Sequence, residues 1–181
     1  MAASDKDSQL GLSREFAVSL GLFYINWAKV ELTVDFAIGK FLKIVPNQTH
    51  LITASIDFGR RAQWLRALIN ESDMAHKTRA VTALNAIQND SKRNAFAHSY
   101  ISNANEKVIF VERVPFGKFM IKAHTFDWAS FKAHVDDIAD HAISLQGALG
   151  ASEDDLNGFA QAAINMAAKV TVSPVPPNEI A

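Results

Sequence analysis

Arg93, Asn94 and His98 are the residues of this chain best suited to chemistry on an anionic substrate. They stand in the run Lys92-Arg93-Asn94-Ala95-Phe96-Ala97-His98-Ser99. Histidine titrates near neutrality and can take or give a proton. Arginine is permanently charged and grips a phosphate with two parallel N–H groups. Asparagine offers an amide that can orient either of them. Together these are the parts needed to move a proton and stabilise a phosphorane, and they call for no metal and no cofactor. On a helix, about 100° per residue puts Asn94 and His98 on one face; Arg93 lies roughly 140° from His98 but is long enough to curl back. The competing reading of His98 is a charge that caps a helix C-terminus. Ser99 and Tyr100 follow directly and are supporting candidates, Tyr100 as a ring on which a base could stack. Phe96, between the polar residues, is expected in the core.

The net charge of −1 conceals an asymmetry. Residues 61–125 carry ten Lys and Arg against five Asp and Glu, whereas residues 126–181 carry two against eight. The basic part contains Arg93 and His98, which suits an anionic partner; chance segregation of surface charge gives the same count. Arg60, Arg61 and Lys92, with Arg66 and Arg79, would supply an RNA path if they converge. Glu31 sits in an apolar stretch, where a carboxylate without a partner is costly. It is expected either to pair with Arg93, within one chain or across a dimer, or to face solvent. His134, Asp137 and His141 share a helical face with spacing that could ligate a metal, though such a set on a solvated face more often does nothing. His50, His76 and His124 have no evident partners. Cysteine is absent, which removes disulfides, thiolate metal sites and a cysteine nucleophile, and suits a reducing, cytoplasmic setting.

These residues must be positioned by a mainly helical scaffold. The chain has 181 residues, 49% of them hydrophobic, enough for one domain with a real core. Residues 1–12 read as a flexible polar tail with no secretory signal, residues 13–168 as a single helical domain, and residues 169–181 as a Pro-rich disordered tail. Ser13 caps a first helix ending near Lys43. Its main stripe is Phe16, Leu20, Phe23, Trp27, Val30, Val34, Ile38 and Phe41; Val18, Leu22, Ile25, Leu32 and Phe36 form a second. Asn26, Lys29, Glu31, Asp35 and Lys40 interrupt it, so it is not a membrane span. At about 1.5 Å per residue it spans roughly 45 Å, which predicts either a homodimer covering part of it or a kink at Gly21. Further helices are expected over 47–56, from Asp57 to Asn70, and from a cap at Asp73 to about His98. Val108–Val114 and Lys118–Ala123 flank Pro115-Phe116-Gly117 and read as a small β-hairpin that must lie on the helices. Asp127 caps a helix closed by Gly150, and Ser152 opens a last amphipathic helix through Ala167. Trp27, Trp64 and Trp128 fall at apolar helical positions and are expected in the core.

Arg93-Asn94-x-x-x-His98 resembles the Arg–His motif of the HEPN superfamily, in which a polar residue, often Asn, follows the Arg. Trp27-Ala-Lys-Val-Glu31 is similar to a Trp–Glu element in the opening helix of several such families. Phe58-Gly-Arg-Arg-Ala-Gln-Trp-Leu-Arg-Ala-Leu resembles their next helix. A strand pair followed by a helix opening at Asp127 is similar too. The resemblance spans about residues 14–148 and implies a HEPN-like helical bundle, with the hairpin inserted before the C-terminal helices. It implies a four-helix core that dimerises and brings two Arg/His sets to a shared cleft. For an active member it implies a metal-independent endoribonuclease, in which the ribose 2′-hydroxyl attacks the adjacent phosphate and leaves a cyclic phosphate. His98 would then be the general acid or base, Arg93 would hold the scissile phosphate, and Asn94 would orient the phosphate or the histidine. A toxin or defence context, with an antitoxin-like protein partner, goes with that reading. A noncatalytic dimerisation module that binds RNA or a nucleotide is the other outcome the resemblance allows.

Overall fold

Helix signals in this chain are local and strong. The computed structural model describes residues 14–104, 107–116 and 118–170. Ser13, the N-terminal tail and the stretch from residue 171 onward lie outside the described residues. The fold is mainly α with one small antiparallel sheet.

Helix α1 spans Arg14–Leu42 and continues through Gly21 without interruption. Glu15 in its first turn and Lys40 in its last complement the helix dipole. Beyond its end Lys43 takes the left-handed conformation, φ 57°, and the Ile44 N–H bonds back to the Gly39 carbonyl at 3.1 Å. This is the arrangement that usually recruits glycine. Helix α2 (Pro46–Thr53) opens on proline, whose missing N–H costs nothing there. Helix α3 (Phe58–Glu71) is capped by Asp57, which accepts from the Arg60 N–H at 3.0 Å. The cap expected at Asp73 is not formed. Ser72 closes α3 through its N–H and hydroxyl on the Ile69 carbonyl, which leaves Asp73 in the connecting turn, and α4 begins at Lys77.

Helix α4 (Lys77–Asp90) stops earlier than expected, and Arg93–His98 forms a separate short helix, α5. Three strands follow: β1 (Tyr100–Ala104), β2 (Lys107–Phe116) and β3 (Lys118–Phe126), in the order β1-β2-β3. The hairpin is thus β2 and β3, longer than expected and widened by a third strand. Helix α6 (Trp128–Leu149) is capped by Asp127, whose carboxylate accepts from the Ser130 N–H at 2.7 Å. Gly150, φ 60°, ends it as expected. Helix α7 (Glu153–Val170) opens on a reciprocal cap: Ser152 Oγ accepts from the Asp155 N–H and Asp155 accepts from the Ser152 N–H. It runs two residues into the stretch expected as tail.

The described residues fall into two units, and α1, α4 and α6 each supply residues to both. The first comprises the described residues of 14–28 and 85–143. Its core is an aromatic cluster of Phe16, Phe23, Phe96, Phe110, Phe126 and Phe131. Ring centroids of Phe16 and Phe131 lie 4.6 Å apart, and those of Phe96 and Phe110 lie 4.5 Å apart. Phe110 and Phe126 are the side chains that seat the sheet on the helices, which a two-stranded hairpin could not manage alone.

The second unit comprises residues 29–84 and 144–170. Its core is aliphatic, with Val34, Ile38, Leu65, Ile69, Leu84, Leu145 and Leu156 buried. Gly39 lets α1 approach α2 closely, because a Cβ there would fall on the Thr49 hydroxyl. His50 donates to the Phe159 carbonyl at 3.0 Å and ties α2 to α7, while Lys29 pairs with Glu153. Trp27 is buried as expected, but Trp64 and Trp128 are exposed: their positions sit at the margins of their helices' apolar faces. No helix among the described residues is long and apolar enough to cross a membrane.

Candidate functional site

The segment carrying Arg93, Asn94 and His98 is built by a break in the chain. Helix α4 ends at Asp90, and Lys92 adopts the left-handed conformation with φ 51°. The Lys92 carbonyl then accepts the first bond of α5, from the Phe96 N–H at 3.0 Å. His134 of α6 fixes this break by donating from Nε2 to the carbonyl of buried Ser91, at 3.1 Å. Its ring lies edge-on to Phe96 and stacks over Phe23. Burial pushes the His134 imidazole below its ordinary range, while the bond to Ser91 pulls it back. A neutral ring with Nε2 protonated is what this geometry needs.

Phe96 anchors α5. It is buried against Phe23 at 4.9 Å and Phe131 at 5.6 Å, beside Ala95. With those two residues inward, Asn94 and His98 are exposed and Arg93 is half-buried. Asn94 and His98 are one turn apart on the same face. Arg93 donates from Nη1 to Asn94 Oδ1 at 3.3 Å, so the two polar side chains are coupled directly. His98 is the last residue of α5, and the Ser99 N–H closes the helix on the Ala95 carbonyl at 3.1 Å. The Ser99 hydroxyl is buried with no hydrogen-bond partner. Tyr100 begins β1 and is exposed, with the Arg113 guanidinium 4.7 Å over its ring.

Tyr24 also belongs here, and the sequence reading passed over it. Burial raises its phenol above the usual range, and the Arg93 charge lowers it, which sets Tyr24 of α1 within the electrostatic reach of Arg93. Its ring meets Phe23 edge-on at 5.6 Å. The available signal was its position: one residue off the buried stripe, a polar aromatic beside a core phenylalanine.

The other expected residues are placed differently. Arg61 is buried, and its Nη1 donates to both carboxylate oxygens of Asp35, at 2.8 and 2.9 Å. Its Nη2 lies 3.6 Å from Glu31. Arg61 is therefore engaged in a half-buried ionic cluster on α1, and Glu31 has a cationic neighbour in Arg61. Burial raises the Asp35 carboxyl, and the Arg61 hydrogen bond opposes it. Arg60 is exposed and pairs with Asp57 at 3.7 Å; Lys92 is exposed at the break. Arg79 donates to Ser144 Oγ at 3.0 Å. No group of three or more His, Asp or Glu able to hold a metal occurs among the described residues, so His134, Asp137 and His141 do not come together as a ligand set. His124, expected to lack a partner, lies 3.3 Å from Glu112.

Comparison with family models, with curated proteins and with solved structures finds no match to this chain.

Proposed function

We propose that the chain is a metal-independent endoribonuclease of HEPN type, acting through Arg93, Asn94 and His98. The observation that carries the reading is α5 itself. A short helix pegged by Phe96 exposes an amide and a histidine one turn apart, with a half-buried arginine bonded to the amide. In this reading the ribose 2′-hydroxyl attacks the adjacent phosphorus and the bond to the 5′-oxygen breaks. The products are a 2′,3′-cyclic phosphate and a 5′-hydroxyl. His98 moves one of the two protons, and Arg93 neutralises the phosphorane. Asn94, bonded to Arg93, holds the guanidinium or the phosphate in register. A homodimer would supply the second histidine.

The test is incubation of pure protein with RNA in EDTA, followed by end-group analysis. The expected result is cleavage leaving cyclic phosphate ends. His98→Ala should lose roughly 10²-fold or more of the rate, as a general acid or base contributes. Arg93→Ala should also lose activity while its circular dichroism is unchanged. RNA left intact by the unsubstituted chain sinks the reading.

A second reading has its own observation. Val18, Leu22 and Ile25 on α1 are 54%, 49% and 66% exposed and follow helical spacing. That apolar strip favours a noncatalytic dimerisation module that binds RNA or a nucleotide. An antitoxin-like protein as regulator accompanies the ribonuclease reading, and a cytoplasmic location accompanies both.

A further inference from the structure

The sheet has one face on the aromatic cluster and one face open. Phe110 and Phe126 point inward, so the alternate positions point outward. The outward positions include Tyr100 and Ser102 on β1, Lys107 and Arg113 on β2, and Ile121 and Thr125 on β3. All six are exposed, Tyr100 by 62% and Ile121 by 61%. The register accounts for the ring–cation pair. Tyr100 lies opposite Val111, so Arg113, two residues on, is its diagonal neighbour on the same face.

The charge on this face has one sign. Among the described residues, its outward strand positions carry Lys107 and Arg113 and no carboxylate. Glu112 has the opposite strand phase and faces His124 at 3.3 Å. An exposed aromatic ring with a guanidinium over it, on a face whose described outward strand positions carry no carboxylate, matches the two parts of a single-stranded nucleic acid: a base with a π-face and a negative backbone. Asp127, just past β3, is the carboxylate within electrostatic reach of Lys107. The face is also continuous with the candidate site, because Tyr100 is only two residues beyond His98, within roughly 7 Å along the chain.

We propose that the open sheet face binds a single-stranded RNA segment, with one base stacked on Tyr100 and the backbone met by Arg113 and Lys107. The choice of RNA and the path onward to His98 rest on the ribonuclease reading; the platform itself does not need cleavage. It gives the strand a fixed point next to the residues that would act on it.

Fluorescence anisotropy of a labelled single-stranded oligoribonucleotide in EDTA tests this, using the full chain with His98→Ala so that the strand survives. Adding Tyr100→Ala should weaken binding about tenfold or more, the usual effect of losing a stacking ring. Tyr100→Phe should retain it, because the ring remains. Arg113→Glu should weaken binding and flatten its salt dependence. A duplex of the same sequence should bind less tightly, since its bases are not free to stack. Undiminished binding by Tyr100→Ala and Arg113→Glu overturns the proposal, as does failure of the His98→Ala chain to bind the single strand. If Tyr100→Ala does not fold, Arg113→Glu decides alone. Cleavage is scored separately on the unsubstituted chain. Cleavage with no dependence on Tyr100 in binding removes the platform and leaves the ribonuclease. Binding that depends on Tyr100 without any cleavage does the reverse.

Discussion

The guanidinium of Arg61 answers two carboxylates that lie one helical turn apart on α1. Glu31 and Asp35 would repel each other there if nothing stood between them. Removing the cation leaves two half-buried carboxylates uncompensated, a loss at the lower end of the about 3–5 kcal/mol typical of a broken buried pair. Arg61→Ala should therefore lose stability of about that size in urea unfolding, while Arg60→Ala, at an exposed pair with Asp57, should change it by less than about 1 kcal/mol. Equal effects of the two substitutions would sink this assignment. Part of the cluster is legible in the sequence. Glu31 in an apolar run calls for either a cation or solvent, and Asp35 four residues later shares its face. What cannot be read is which arginine answers, because Arg61 is distant in sequence and only the fold brings it near. The same limit hid Tyr24, whose relation to Arg93 exists only once α1 and α5 are packed.

The break between α4 and α5 shapes the candidate site more than either helix does. Without it, Arg93 and His98 would simply extend α4. Lysine at φ 51° gives no advance warning, since glycine or asparagine is the residue expected in that conformation. A weaker signal was present: Asn89-Asp90-Ser91 offers three side chains that compete with helical backbone bonds. The cap at Asp127 and the helix start at Ser152 were legible because a cap is settled within four residues, whereas the cap expected at Asp73 was pre-empted by Ser72. Strand β1 was not, because its pairing with β2 is decided by a neighbour rather than by its own alternation. The clasp of His134 on Ser91 makes the break sensitive to acid. His134 is held below its ordinary range in the folded chain, so the unfolded chain binds the proton first as pH falls. Stability is thus complete above about pH 6.5 and declines as pH drops through the lower folded value. Thermal unfolding between pH 7.5 and 5 should show this decline, and His134→Gln should flatten it. An unchanged slope in that variant would exclude His134 as the source.

For the molecule as a whole, the mainly helical architecture was readable from apolar periodicity, whereas the fate of each stripe was not. The first stripe on α1 is largely buried; the second leaves Val18, Leu22 and Ile25 open. Periodicity reports that a face is apolar and does not say what covers it. Trp64 and Trp128 were misplaced for the same reason. If a second copy covers the α1 strip, the chain should have twice its 19.8 kDa mass by light scattering, and Leu22→Lys with Ile25→Lys should halve it without loss of helicity. A monomeric mass for the unsubstituted chain across the concentration range would remove the homodimer from both functional readings.

The uneven burial of the three tryptophans has an optical consequence. Trp27 is enclosed and stacks over Phe23, which in turn touches Phe96 beneath α5. Trp64 and Trp128 are open to solvent. With those two replaced by phenylalanine, the remaining indole would be a lone emitter, screened from collisional quenchers and two rings removed from the candidate site. Its emission would then register any loosening of the packing under Arg93 and His98 without an added label.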